Sequence, residues 1–309
     1  MTLGFFPDTD ATALADAARK AFAGAQDPIQ ALNGLEVVTA IGKGISLELA
    51  SVIVAEGAFA AIDYALPAAF AVATLLDLKG QEAAGSQALR ASLGEVGQAG
   101  EVLAPVPPGT RYIAALSDDG SYLLEDFAAP DGVVDPLKAS PWQRFEATGP
   151  RLACDLRPIA WTLLAADMLG AARAVFDRHV LHLKTRHQFG EPLGSFQTLR
   201  HRAAADWVRL EDMRVAIDMA CVLFDSGAPS DETLAAARIA KAIASDLAPR
   251  IAENALHAHG AMGFTEEAGL HAFLIRIRHA SSILRTADEH FRAVGSEFMS
   301  HSSEDRLSS

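Results

Sequence analysis

The pattern of apolar and polar positions divides the chain into segments of different texture. Residues 10–78 read as helices, with Gly42 and Gly44 marking a turn between them. Within that stretch the apolar run 57–76 is interrupted by Asp63 and Pro67, which predicts two packed helices breaking near the proline rather than a membrane span. From about residue 97 to 145 the texture changes. The runs "EVLAPV", "RYIAALS" and "SYLLEDF" are short and separated by "PPG", "DDG" and "PDG", so they read as a small, largely antiparallel sheet with a hairpin at "DDGSYLL". After Arg151 the helical period dominates. Leu164, Met168, Ala172, Val175, His179 and Leu183 step by three or four residues along one face of a long helix.

Three more helices are predicted, over about 196–224, 231–259 and 275–298. Ser230 stands where it could cap the second of these, and Pro249 should kink it by removing a backbone hydrogen bond. The closing "SEFMSHSSEDRLSS" is polar and expected to fray. The fold class that follows is mainly α. A shortened N-terminal helical domain (1–95) and a small middle β domain (96–148) precede a C-terminal four-helix bundle (149–298) and a polar tail (299–309).

Charge and cysteine content narrow the functional classes. Net charge is −13, and the first 150 residues carry 8 Lys/Arg against 19 Asp/Glu, which argues against duplex DNA or an anionic membrane as partner. Cys154 and Cys221 are too few for a disulfide framework, and "MTLGFFPDTD" lacks the basic and apolar regions of a signal peptide, so a cytoplasmic protein is expected. All ten histidines lie after residue 178, which places the groups that titrate near neutrality in the C-terminal half.

The chemistry concentrates between the helices. "TRHQFGEPLGSFQ" (Thr185 to Gln197) supplies Arg186 for an anion, Phe189 for a flat ring and Gln197 as a two-way hydrogen-bonding amide. "HAHGAMGFTEE" (His257 to Glu267) supplies a second turn, where Gly260 and Gly263 permit left-handed backbone and close approach of a phosphate or ring. His179 and His182, spaced i, i+3, could grip a metal from a helix face, but no third ligand accompanies them and no metal is expected.

Taken in order and spacing, "TRHQFGEPLGSFQTLRHRAAADWVRLEDMRVA", then "AKAIASD…ALHAHGAMGFTEE", then "FLIRIRHASSILRTADEHF" resemble the C-terminal half of acyl-CoA dehydrogenases, over about residues 150–295. The resemblance implies FAD as cofactor, an acyl-CoA substrate and electron-transfer flavoprotein as electron acceptor. It implies that Arg186 reaches the pyrophosphate of a neighbouring subunit's FAD, that Phe189 packs by the adenine end and that Gln197 contacts the cofactor. His257 stands where the family often has glutamine, and Gly260 matches the first glycine of a Gly-Gly turn whose second glycine is here Ala261. The family's catalytic glutamate occupies one of two positions, which fall here at Ala160 and at Arg285, beside Thr286.

Neither is a carboxylate. Asp167, two turns beyond Ala160, is the weak candidate for a relocated base, its plainer reading being an exposed helical aspartate. Glu266, Asp288 and Glu289 lie near and read as structural or solvated. The resemblance therefore implies a base-less subunit of a heteromeric enzyme, two of each chain, whose companion carries the glutamate. Known examples of that kind handle bulky acyl-CoAs such as steroid side-chain thioesters. A self-sufficient homomeric enzyme with a relocated base and a non-catalytic bundle of the same fold are the alternatives.

Overall fold

The structure is a computed structural model that describes residues 9–22, 46–60, 66–78, 91–97, 99–106, 109–125, 127, 142–146, 151–152 and 154–307. The turn expected at Gly42 and Gly44 lies outside them, as does Asp63. Three helices come first: α1 (Thr9–Phe22), α2 (Leu47–Phe59) and α3 (Leu66–Leu78). The predicted break in the apolar run falls ahead of Pro67, which sits in the first turn of α3, where its missing N–H has no partner to lose.

The sheet follows as β1 (Ala91–Val96), β2 (Glu101–Pro105), β3 (Tyr112–Ser117), β4 (Gly120–Leu124) and β5 (Trp142–Glu146), in the spatial order β4-β3-β1-β2-β5. Pairing is antiparallel except between β1 and β3, where Ala91 faces Tyr112. The sheet begins at Ala91 rather than near residue 96. Strand β1 was illegible because "ASLGEV" carries an interior glycine; a Cβ on Gly94 would press on Val102, Ala104 and Ile113 at 3.0–3.1 Å. The alternation along β3 sorts its side chains. Tyr112, Ala114 and Leu116 join the main core, while Ile113 and Ala115 join a second cluster with Val102, Ala104, Val106 and Leu124.

The bundle is α4 (Arg157–Thr185), α5 (Gln197–Asp225), α6 (Ser230–His259), α7 (Leu270–Ser282) and α8 (Ala287–Leu307). Helix α4 is its centre, packed on α2, α5, α6 and α7, and the predicted face from Leu164 to Leu183 is buried along its length. It alone among the described residues has the length and apolarity of a membrane span, and 83% of its most apolar stretch is buried inside the protein. Backbone touches backbone where α4 crosses α2, because a Cβ on Gly170 would collide with the carbonyl of Ala55. Beside that crossing, buried Glu56 accepts from Arg19 at 3.0 and 3.2 Å and from Arg173 at 2.7 Å. The end of α5 caps the start of α2, with the Asp225 carboxylate accepting from the Leu47 and Glu48 amides at 2.7 and 3.0 Å.

Four sequence expectations need correction. The fourth bundle helix is two, α7 and α8, separated at Ile283–Thr286 by a turn in which Leu284 and Arg285 have φ of 55° and 79°. Ser230 is the first residue of α6 and gives no cap; the Thr233 hydroxyl instead donates to the Pro229 carbonyl at 3.0 Å. Residues 299–307 continue α8 as helix. Asp167 is buried, not exposed: it is 1% accessible and accepts from Arg276 Nε at 3.0 and 3.2 Å and from Nη2 at 2.5 Å. Position within a periodic face gave no warning of that partner, which arrives 109 residues later on α7. Pro249 lies buried inside the continuous helix α6.

Candidate functional site

Helix α4 ends at Thr185, and the chain turns back through a two-residue hairpin, β6 (His187–Gln188) and β7 (Glu191–Pro192). Its tip, Phe189-Gly190, has φ of 55° and 87°, the primed type of turn that the twist of a tight hairpin favours. A phenylalanine held in the left-handed region is strained, and this one is 92% exposed, meeting Phe196 edge-on at 6.2 Å. Arg186 stands exposed at the base of the hairpin. Its N–H bonds the His182 carbonyl at 2.9 Å and its own carbonyl accepts from Leu193 at 2.8 Å. Gln197, also exposed, opens α5.

The second turn ends α6. Gly260 adopts φ 61°, ψ −141°, a conformation open only to glycine at low cost, and a 3₁₀ turn (Gly260–Phe264) follows. His257, Gly260 and Ala261 are all exposed there, whereas Gly263 is buried, where a Cβ would come within 3.0 Å of the Leu256 carbonyl. The methyl of Ala261 thus sits on the open side of the turn. The two turns are neighbours: His182 of α4 and His259 of α6 stack with ring centroids 3.9 Å apart.

Beside them an open groove of about 720 Å³ runs between α5 and α6, lined by Thr198, His201, Arg202, Arg209, Asn254 and His257. Under it Asp206 is buried, accepting from Arg209 at 2.5 Å and Asn254 at 2.9 Å, and burial raises its pKa. Arg202 and Arg209 escaped the sequence reading because, in a helix carrying both charge signs, they look like a solvated face. Together the turns and groove present cations, an amide, imidazoles and an exposed ring, a donor set suited to a pyrophosphate-linked nucleotide. Among the described residues no group of three or more His, Cys, Asp or Glu is arranged to hold a metal.

A separate cleft of about 50 Å³ opens between the sheet, the start of α4 and the α7–α8 turn, lined by residues that include Glu95, Asp118, Arg157, Trp161, Leu284 and Arg285. Arg157 binds Asp118 at 2.5 Å and Asp155 at 2.8 Å; Arg285 meets Asp118 at 3.4 Å and Glu95 at 3.5 Å. Ala160 is fully buried in the core and is absent from the cleft lining, which α4 contributes through Arg157 and Trp161. The signal for Arg157 was present in the sequence, since Pro158 after it marks a helix start.

The remaining acids serve structure or solvent. Glu289 accepts from the Thr286 amide and hydroxyl, both at 2.7 Å, and these bonds lower its pKa; it closes a capping box on α8. Asp288 is exposed, and the Glu266 side chain lies outside the described residues. Behind the turn, His290 bonds the Leu284 carbonyl at 3.0 Å and meets Trp161 edge-on at 4.8 Å. Burial, then Lys241, push the pKa of His290 down to about 3. Lys241 is itself fully buried, which brings it down to about 7, and it donates to Ser245 Oγ at 2.9 Å.

Residues 161–285 match the model of the acyl-CoA dehydrogenase C-terminal domain. Curated relatives include acyl-CoA dehydrogenase FadE34 of Mycobacterium tuberculosis, 32% identical over 64% of this chain and 29% of its own length. Acyl-CoA dehydrogenase IpdE2 of the same organism is 32% identical over 60% of this chain and 56% of its own length. The chain thus spans under two thirds of either relative. Among solved structures, the Tcur3481-Tcur3483 steroid ACAD G363A variant superposes with a TM-score of 0.75 at 21% identity, covering 95% of this chain and 99% of that one. The ChsE4-ChsE5 complex from Mycobacterium tuberculosis gives 0.74 at 14% identity, over 96% and 99%. These likenesses establish the fold.

Proposed function

We propose, for a chain whose residues 161–285 belong to the FAD-dependent acyl-CoA dehydrogenase C-terminal domain family, that it is the base-less subunit of a two-chain acyl-CoA dehydrogenase. The observation that carries this reading is the cleft. Where the family resemblance puts a glutamate stands Arg285, and the carboxylates beside it, Asp118 and Glu95, are already engaged by arginines. Abstraction of the proton next to a thioester carbonyl needs a carboxylate free to accept it, a contribution of about 10²–10⁴-fold in rate. A companion chain carrying the glutamate supplies that group.

The chain's own part is to hold cofactor. Bound FAD supplies the hydride acceptor for oxidation of the acyl chain. Arg186 would bind its pyrophosphate, Phe189 flank its adenine end, and Gln197 and His257 hydrogen-bond to it. Gly260 would let the backbone approach, with the methyl of Ala261 narrowing that approach. Arg202 and Arg209 add positive charge along the same groove. Support for a two-chain assembly comes from the two-component complexes among the structural neighbours and from apolar side chains left exposed on α5 (Val208, Val215, Met219, Val222) and α8 (Phe291, Phe298). The description of one neighbour as a steroid ACAD supports a bulky acyl-CoA substrate, with electron-transfer flavoprotein as the acceptor.

Co-expression tests this. Alone, the chain should purify colourless and inactive; with a glutamate-bearing relative it should co-purify as a mixed oligomer, two of each, that retains flavin. Arg186→Ala should weaken flavin retention by about 1.5–3 kcal/mol, the value of a charge-assisted contact. Yellow, active homo-oligomers of this chain alone would overturn the proposal.

A further inference from the structure

We infer that His182 and His259 are positioning residues: their stacked rings clamp the Arg186 hairpin to the Gly260 turn, and protonation of His182 parts the two turns. The consequence for flavin rests on the reading that these turns hold the cofactor.

The geometry builds a clamp from one side chain on each helix. His182 lies one turn before Arg186, whose N–H bonds the His182 carbonyl. His259 immediately precedes Gly260. The ring centroids lie 3.9 Å apart with planes inclined by 25°, the stacked arrangement of two flat rings. The Ala255 carbonyl lies 2.7 Å from His259 Nδ1 and fixes the tautomer by making that nitrogen the donor. His179, one turn further back on α4, sits 6.1 Å from His259; it is buried and its Nδ1 has no hydrogen-bond partner.

The groups facing these rings oppose charge. Burial, then His259, then Arg186 lower the pKa of His182, with only the Ala258 carbonyl acting the other way. Burial, then His259 and His182, push His179 down to about 4. His179 and His182 are thus held neutral at pH values above the ordinary imidazole value of about 6.5, where the stack is intact. As pH falls below that value, a proton added to His182 places a cation against the His259 ring and the Arg186 guanidinium. The stack contributes above pH 6.5 and is lost on acidification, in the window set by folded values below the unfolded one.

Hydrogen exchange of the full chain, corrected for intrinsic rates, reads the clamp without cofactor. At pH 7.5 residues 186–196 and 260–264 should be protected, and at pH 5.0 their protection should fall by at least about tenfold, while the middle of α5 keeps its own. His182→Phe, a flat ring that cannot charge, should keep both segments protected at both pH values, and His182→Ala should lose protection at both. Wild-type protection independent of pH, or a phenylalanine variant as pH-sensitive as wild type, overturns the clamp. Flavin titration of the co-purified complex then separates the two readings. A dissociation constant about tenfold higher at pH 5.0 in wild type but not in His182→Phe supports both. No flavin binding at either pH, with pH-dependent protection intact, overturns the cofactor assignment and leaves the clamp standing.

Discussion

Asp167 is the residue whose role can be decided with one substitution and its compensating partner. Asp167→Asn keeps the shape and one acceptor oxygen but removes the charge facing Arg276, itself buried. With Nε–O and Nη2–O separations of 2.5–3.2 Å, two unit charges about 3 Å apart attract by about 5 kcal/mol at an effective dielectric constant of about 20. Losing one partner of such a pair leaves an uncompensated buried cation, at a cost of about 3–5 kcal/mol. Since asparagine still accepts one hydrogen bond, about 3 kcal/mol is expected, a fall in melting temperature of about 6–12 °C at the usual entropy of unfolding. Thermal unfolding followed by Trp161 and Trp207 fluorescence measures it. The double variant Asp167→Leu/Arg276→Met should recover most of the loss, because an apolar pair of similar volume replaces two desolvated charges. Turnover per bound flavin in the complex should survive in that double variant. A single-variant loss below about 0.5 kcal/mol would refute the ion-pair argument. An inactive but stable, flavin-loaded double variant would restore Asp167 as a base.

Three further outcomes test the packing and the buried titratable groups. Gly170→Ala forces apart the contact between α4 and the Ala55 carbonyl of α2, so it should destabilise by about 3 kcal/mol or more in urea unfolding; a neutral result would mean the helices do not cross that closely. Stability measured across pH should fall as pH drops below about 6.5, because His179 and His290, held down to about 4 and about 3, bind protons only when the protein unfolds. On the alkaline side the unfolded chain keeps Lys241 charged while the folded chain, at about 7, does not. Stability should therefore rise between pH 7 and about 10, and Lys241→Met should remove that rise.

The long helices α4, α5 and α6 were legible in the sequence because a buried stripe every 3.6 residues is a local property of the chain. So were the turns at Arg186 and Gly260, since glycine, proline and exposed aromatics between helices announce backbone that packing alone does not demand. What the sequence could not state was which distant side chains meet. The partner of Asp167 is 109 residues away, and Asp118 reaches Arg157 and Arg285 across the boundary between sheet and bundle. Buried Lys241 reads in one dimension as an ordinary lysine of an amphipathic helix. The division of the last helix at Ile283–Thr286 comes with an anchor from α8 back to the turn, His290 to the Leu284 carbonyl, that helical periodicity does not announce. Periodicity fixes which face of an element turns inward; only the assembled fold decides what that face finds there, because a charge or a strained turn is stabilised by its partner and not by its neighbours in the chain.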